Sequence, residues 1–467
     1  MEVLDEHNPL VKTFRMACDQ FLETPNMQMK IKLIGRRTKD GRNYNLPTVD
    51  EVVVIVGDIN VSSYDERDVI IYSHIEGLKV ISELHTEYLA LQYPLLFIYT
   101  EDGYMTDILH RDVDEHSIRV KKRVTMREFF AYKLQERAVP TLVHLGHKLY
   151  QQFVVDAYTM IETERVSYIR KNQNILRADT FTNLLNSAAS GSSKNSMMGN
   201  RIKLPSSFTG SARYMIENYR DAMALCRVFG YPDLFLTFTC NPKWPEISRE
   251  LDGIGFKPKD KSSFCARMFK MKLDQLMKNI RKKNYLVLLK QKRGLPHAHI
   301  CLFLDERNKM PQPKDVDQYI CAEIPDEIKE PELYQLVSDL VIHGPCGEKN
   351  PSCQCTDSDR KCTKRINDDG RTVTKQGHEL DNRSVVAYNP YFLKRYQAHL
   401  NIEWCNQVAS ISYLFKYINK GNYRITAQLC NAETNEIQEY YDCRYVSSCE
   451  AIWRILKFDI HHHYPAL

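Results

Sequence analysis

Residues 286–304 read LVLLKQKRGLPHAHICLFL, two apolar runs separated by Lys292-Arg293-Gly294-Leu295-Pro296. A glycine and a proline inside a short polar break stop either run from continuing, so the stretch is expected to be a strand, a tight turn and a second strand. On the second strand only Ala298 separates His297 from His299. Side chains alternate across a strand, so both imidazoles should project from one face. Two such rings can share one divalent metal. The plainer alternative is two polar positions on the solvent face of an edge strand.

A second pattern lies far downstream. Ser412-Tyr413-Leu414-Phe415-Lys416-Tyr417-Ile418 falls inside a helix expected from about Asn406 to Lys420 and ended by Gly421. Tyr413 and Tyr417 stand at i and i+4, so their rings share a face with Cβ atoms roughly 5–6 Å apart. By itself such a pair reads as core packing. Together with the histidines it suggests a metal-assisted tyrosine nucleophile.

The pairing of PHAHI with YLFKY resembles the two-tyrosine class of HUH endonucleases, the rolling-circle replication initiators. Its wording is similar to the replication-initiator part of Helitron transposases. Further stretches carry the likeness: LFLTFTCNPKWPEI at 234–247, HGPCG at 343–347, LDNRSVVAYNPY at 380–391 and CEAIWRILKFDIHHHYPA at 449–466. The resemblance implies metal ligands at His297 and His299, with Gln291 on the incoming strand as a third, since related initiators place Glu or Gln just ahead of the turn. Where Helitron sequences often read Glu-Phe before that glutamine, this chain has Leu289-Lys290. Complete Helitron transposases carry a helicase module further downstream, and the chain is expected to end before it. A nuclear location and transposon ends as partners are likewise what the resemblance implies.

Length and charge set the outer bounds. With 467 residues and 43% apolar content the chain can form about three domains with packed cores. A net charge of +5 means that any nucleic-acid surface must come from local clusters. Fourteen cysteines without a signal peptide read as reduced thiols of an intracellular protein, some of them binding metal. No apolar run approaches a membrane span, and no G-x4-G-K-[ST] loop is present to cradle nucleotide phosphates.

In chain order, residues 1–186 form a mixed, largely helical accessory region. Helices are expected at 10–22, 127–137 and 147–170, the last carrying Leu149, Phe153, Val154, Ala157, Met160 and Ile161 at helical spacing, and strands at 30–35 and 52–57. Arg119, Lys121, Lys122 and Arg123 are either phosphate contacts or a solvated face. Residues 187–200, SAASGSSKNSMMGN, are small, polar and aperiodic, and mark a linker. An amphipathic helix at 211–228 and a buried strand at 233–240 follow, ending in the rigid corner Asn241-Pro242-Lys243-Trp244-Pro245. Trp244 is open to two readings, a stacking platform for an unpaired base or plain packing. Residues 259–283 make a long helix whose Lys270, Lys272, Lys278, Arg281, Lys282 and Lys283 could track a phosphate backbone. His343, Cys346, Cys353, Cys355 and Cys362 crowd a polar stretch that cannot build a core, and soft ligands so placed favour a tetrahedral structural zinc, unligated thiols being the alternative. Residues 395–405 alternate as a half-buried strand.

The expected architecture is therefore α+β: an antiparallel HUH-type sheet flanked by helices, with His297 and His299 on a central strand and a small zinc-binding insertion at 343–365. The endonuclease domain would span 201–425, and 426–467 would be a C-terminal extension. The expected chemistry is nicking and strand transfer on single-stranded DNA, with Mg2+ or Mn2+ at the histidines, Tyr413 and Tyr417 as nucleophiles, and Lys416 and Lys420 as candidate cations beside them. The alternative is a transposon-derived DNA-binding protein without catalysis.

Overall fold

The computed structural model describes residues 2–23, 69–73, 77–110, 122–173, 203–251, 255–281, 286–292, 296–304, 309, 312–344, 370–375, 377–405, 437, 440–441 and 446–464. These divide into two compact units, one formed by 1–168 with 454–456 and the other by 169–453 with 457–467.

The first unit holds α1 (Glu2–His7), α2 (Pro9–Glu23), the hairpin β1 (Val69–Ser73) and β2 (Gly77–Ile81), α3 (Tyr88–Gln92), α4 (Met126–Lys133), α5 (Leu142–Leu145) and most of α6 (Lys148–Lys171). Its helix starts are written in the sequence. Thr125 and Glu128 form a reciprocal capping box at α4, each satisfying a backbone N–H that the helix itself cannot. The stripe read for α6 buries Phe153, Val154, Ala157 and Met160, and adds Tyr150. Phe153 meets Tyr93, Phe97 and Phe130 at centroid distances of 5.5, 5.7 and 6.0 Å, an aromatic centre for this unit. The helix expected at 127–137 stops at Lys133. The strands expected at 30–35 and 52–57 and the linker at 187–200 lie outside the described residues.

The second unit is built on a five-stranded antiparallel sheet in the order β8-β3-β5-β4-β9, with β3 (Leu234–Thr239), β4 (Leu286–Lys292), β5 (His297–Phe303), β8 (Leu400–Trp404) and β9 (His461–Tyr464). The expected hairpin is present as β4 and β5, and β5 is the central strand. The edge strand β9 pairs with β4 and comes from the stretch read as an extension. Residues 395–396, expected as strand, instead close a helix that ends at Tyr396, because Gln397 takes a left-handed conformation at φ 45° and turns the chain into β8.

Register gives the sheet two unlike faces. Leu236 pairs with Ile300 and Ile402, and Phe238 with Ala298 and Leu400, so one face is apolar. It is covered by α9 (Ser262–Arg281), whose Ala266, Phe269, Leu273, Leu276, Met277 and Ile280 are all buried at helical spacing. Phe269 stacks on Phe238 at 5.4 Å and meets Trp453 of α13 (Ser448–Ile455) at 6.0 Å. The other face carries Phe235, Cys301 and Phe303 at one end, where α7 (Ala212–Phe229) packs Ala222, Leu225 and Cys226 against it. Ser211 caps α7, and Gly230 leaves it at φ 80°, a backbone position that only glycine adopts without strain. The remainder of that face is polar.

Between the strands come the short α8 (Pro245–Leu251) and α10 (Pro313–Val316), then a satellite core made by α11 (Pro331–Leu340), the hairpin β6 (Thr372–Lys375) and β7 (His378–Asp381), and α12 (Pro390–Tyr396). Val337, Val341, Val373, Leu380, Tyr388 and Leu393 fill it. The mixed α+β class expected from sequence is what these elements make.

Candidate active site

The polar end of the sheet is a grid of register rows. His299 pairs with Thr237 on β3 and Lys290 on β4, and Thr237 pairs in turn with Asn401 on β8. The neighbouring row sets His297 against Thr239 and Lys292, and the Thr239 N–H donates to the His399 carbonyl at 3.0 Å. Cross-strand partners share a face, so the H-x-H spacing and the Thr-x-Thr of β3 line one surface.

His297 and His299 stand edge to face, with ring centroids 5.2 Å apart and planes at 87°. His299 is only 6% exposed, so its ring is oriented by protein and not by solvent. Phe235 stacks on it at 5.4 Å and 13°, and Thr237 Oγ1 bonds Nδ1 at 3.1 Å. Where Nδ1 donates its proton to that hydroxyl, Nε2 is left with the lone pair that a metal needs, as with outer partners that orient metal-ligating histidines. The bland alternative of two histidines on a solvent-facing edge strand is excluded, since β5 is central and His299 buried. Two convergent imidazoles fit a divalent ion as a partial donor set. Among the described residues no group of three or more His, Cys, Asp or Glu is placed to complete it.

Gln291, expected as the third ligand, occupies the row of Ala298, which is 0% exposed and continues through Phe238 on the face covered by α9. The positions of β4 that share the histidine rows are Lys290 and Lys292. A one-residue step along a strand exchanges faces, and that step separates position 291 from the pair.

Tyr413, Tyr417, Lys416 and Lys420 lie outside the described residues, as do Cys346, Cys353, Cys355 and Cys362. His343 is half-buried after α11, where its N–H donates to the Ser384 carbonyl at 2.6 Å and the Ile342–Val385 bridge precedes it. The start of the Cys-rich stretch is therefore anchored on the satellite core. Described cysteines elsewhere are neutral thiols: burial pushes Cys226 and Cys449 up to about 11 and Cys265 and Cys405 up to about 12. Raised thiols are poor ligands and poor nucleophiles.

Trp244 is packing and not a platform. It is 1% exposed, and its indole N–H donates to the carbonyls of Tyr396 at 2.8 Å and Gln397 at 3.1 Å. Two of the lysines expected to track phosphates are instead neutralised in place, Lys270 by Asp274 and Lys272 by Glu246, each at 2.6 Å. In the first unit, Arg123 pairs with Asp107 at 3.1 Å.

Sequence reasoning missed Thr237 and Asn401. The signal was there in LFLTFT, where two threonines interrupt an otherwise apolar strand at a spacing of two.

No helix among the described residues is long and apolar enough to cross a membrane. No curated protein matches the chain. Residues 129–302 match the family model described as the Helitron helicase-like domain at N-terminus, a span that contains β3, β4 and both histidines of β5. The match supports a Helitron-related protein.

Proposed function

We propose that the chain nicks and rejoins single-stranded DNA in a transposase-related role, using the polar end of the sheet as its catalytic floor. The observation that carries this reading is the His297–His299 pair, two imidazoles 5.2 Å apart on the central strand, with the inner ring oriented by Thr237. When bound there, Mg2+ or Mn2+ would supply Lewis-acid polarisation of a scissile phosphate. His297 and His299 hold the reacting phosphate's environment in place, and Phe235 and Thr237 keep the inner ring from rotating away.

The nucleophile in this reading is Tyr413 or Tyr417. A phenol whose ordinary pKa is about 10 is mostly protonated at neutral pH and needs a nearby positive charge to attack; Lys416 and Lys420 are the candidates. The phenolic oxygen forms a bond to phosphorus as the bond to the 3′ oxygen breaks, and the phenolic proton leaves to solvent while the released 3′ oxygen takes one up. The product is a 5′-phosphotyrosine and a free 3′-OH. Because the phosphodiester energy is kept in the protein link, a DNA hydroxyl can reverse the step without ATP, and two tyrosines would permit two successive transfers. We assign the Cys-rich stretch, through His343, Cys346, Cys353, Cys355 and Cys362, to a structural Zn2+, and place the protein's work in the nucleus on the DNA ends of a transposon.

The test is a denaturing gel of end-labelled single-stranded DNA incubated with protein and manganese. The expected result is a covalent adduct that His297→Ala, His299→Ala and the double replacement Tyr413→Phe/Tyr417→Phe all abolish. A cut without an adduct would mean a water-using phosphodiesterase, and neither cut nor adduct would mean a DNA-binding protein without catalysis.

A further inference from the structure

Three segments converge where the polar rows run off the ends of the strands. The Cys240 N–H donates to the Pro296 carbonyl, immediately before His297, at 2.8 Å; the Thr239 N–H donates to the His399 carbonyl at 3.0 Å; and the Asn241 side-chain amide donates to the Gln397 carbonyl at 2.7 Å. Asn241 follows the end of β3 by two residues, and Thr239, the last residue of that strand, is the partner of His297. Asn241 Oδ1 accepts from the Lys243 N–H at 2.9 Å, so the corner that carries Lys243 is held rigidly against the turn that carries Gln397.

Before Gln397 runs α12, with Arg395 in its last turn and Tyr391 one turn earlier, in its first. Tyr391 is 60% exposed, a large ring left in water on a helix whose inner face, Leu393 and Tyr396, is fully packed. The Arg395 guanidinium lies over that ring at 6.0 Å and its Nη1 donates to the phenol oxygen at 3.2 Å, which keeps the ring from swinging. Lys243, Arg395 and Gln397 are exposed as well. Neighbouring cations are neutralised, Lys394 by Glu330 at 3.5 Å and Lys272 by Glu246 at 2.6 Å. Among the described residues neither Lys243 nor Arg395 has a carboxylate partner.

We propose that Tyr391, Arg395 and Lys243 form a shelf on which single-stranded nucleic acid lies as it reaches the histidine pair, one base stacked on the Tyr391 ring and adjacent phosphates on the two cations. The shelf deepens the reading given above and rests on it for the identity of the ligand. A held, exposed ring beside unneutralised charge suits a strand whose bases are unpaired, because every base offers a flat face and every nucleotide a phosphate. A duplex presents no such face.

The shelf is tested on the full chain by fluorescence anisotropy with labelled oligo(dT) across a salt series. Tyr391→Ala weakens binding by about tenfold, within the range for one lost base stack, and Tyr391→Trp restores it. The double replacement Lys243→Ala/Arg395→Ala lowers the salt slope by about 1.4, the value for two phosphates on a single strand. All these positions are exposed, and unchanged melting temperatures confirm that the fold is intact. Parent-like binding by Tyr391→Ala and by the double variant overturns the shelf, even if the parent forms the covalent adduct. Equal displacement of oligo(dT) from parent and Tyr391→Ala by poly-glutamate also overturns it, since the surface is then a general anion sink. Loss of oligo(dT) binding in the variants of a parent that forms no adduct supports the shelf while removing the nicking chemistry, so the two failures separate.

Discussion

At the scale of single residues, one hydroxyl helps to orient the inner histidine. Thr237 Oγ1 hydrogen-bonds His299 Nδ1 from 62 positions earlier in the chain. Replacing Thr237 by Val keeps the shape and removes the bond, so manganese affinity should fall by about 10–100-fold, as for other outer partners of ligating histidines, with Thr237→Ser retaining it. An unchanged manganese titration of Thr237→Val would detach the hydroxyl from the site. Glu246 makes a smaller, pH-dependent contribution. Burial pushes its carboxyl up, but the hydrogen bond from Lys272 and from its own backbone N–H outweigh that and hold it below the ordinary value. A depressed carboxylate stabilises the fold above its unfolded pKa and ceases to as pH falls through the folded value. Glu246→Gln should therefore flatten the acid limb of the melting curve between those two values, by less than about 1 kcal/mol since the pair is partly solvated.

At the scale of elements, the β4–β5 register governs which residues meet. With Gln291 in the row of Ala298, Gln291→Ala should leave manganese binding where it was. A fall of about 10–100-fold would return Gln291 to the metal and require the hairpin to pair one residue differently. The apolar face depends on α9 in the same direct way. Phe269 is fully buried between Phe238 and Trp453, so Phe269→Ala should cost about 3–5 kcal/mol, read in a denaturant melt, because the rings on both sides cannot close the cavity.

At the scale of the whole molecule, the described cores are of ordinary apolar construction, and the Cys-rich stretch after His343 springs from the satellite core of α11, β6, β7 and α12. If that stretch holds zinc, protein purified without chelators should contain about one zinc per chain. Chelation should then lower the melting temperature before it alters phosphate chemistry, because metal binding to a site that cannot exist unfolded is folding free energy. Zinc-free protein with an unchanged melt would retire the assignment.

Local order was legible because it is a property of neighbours. The two paired strands within 286–304, the stripe of α6, the span of α7, and the corner after β3 all follow from spacing and from Gly and Pro, and all are present. That His297 and His299 share a face was equally legible, since alternation needs only the chain between them. What no local pattern contains is the identity of the neighbours in each row. Thr237 pairs with His299 from a strand far away in sequence, Asn401 pairs in turn with Thr237, and His461 joins the same row through position 290 as the edge of the sheet. The same holds for Trp244, whose indole reads as a platform or as packing until the carbonyls of Tyr396 and Gln397 close over it, and for Lys272, whose charge reads as available until Glu246, 26 residues earlier, is seen beside it, whereas the Lys270–Asp274 pair at i and i+4 is local. Periodicity along the chain determined which residues could face the same way; the long-range pairing of strands and helices decided what they face.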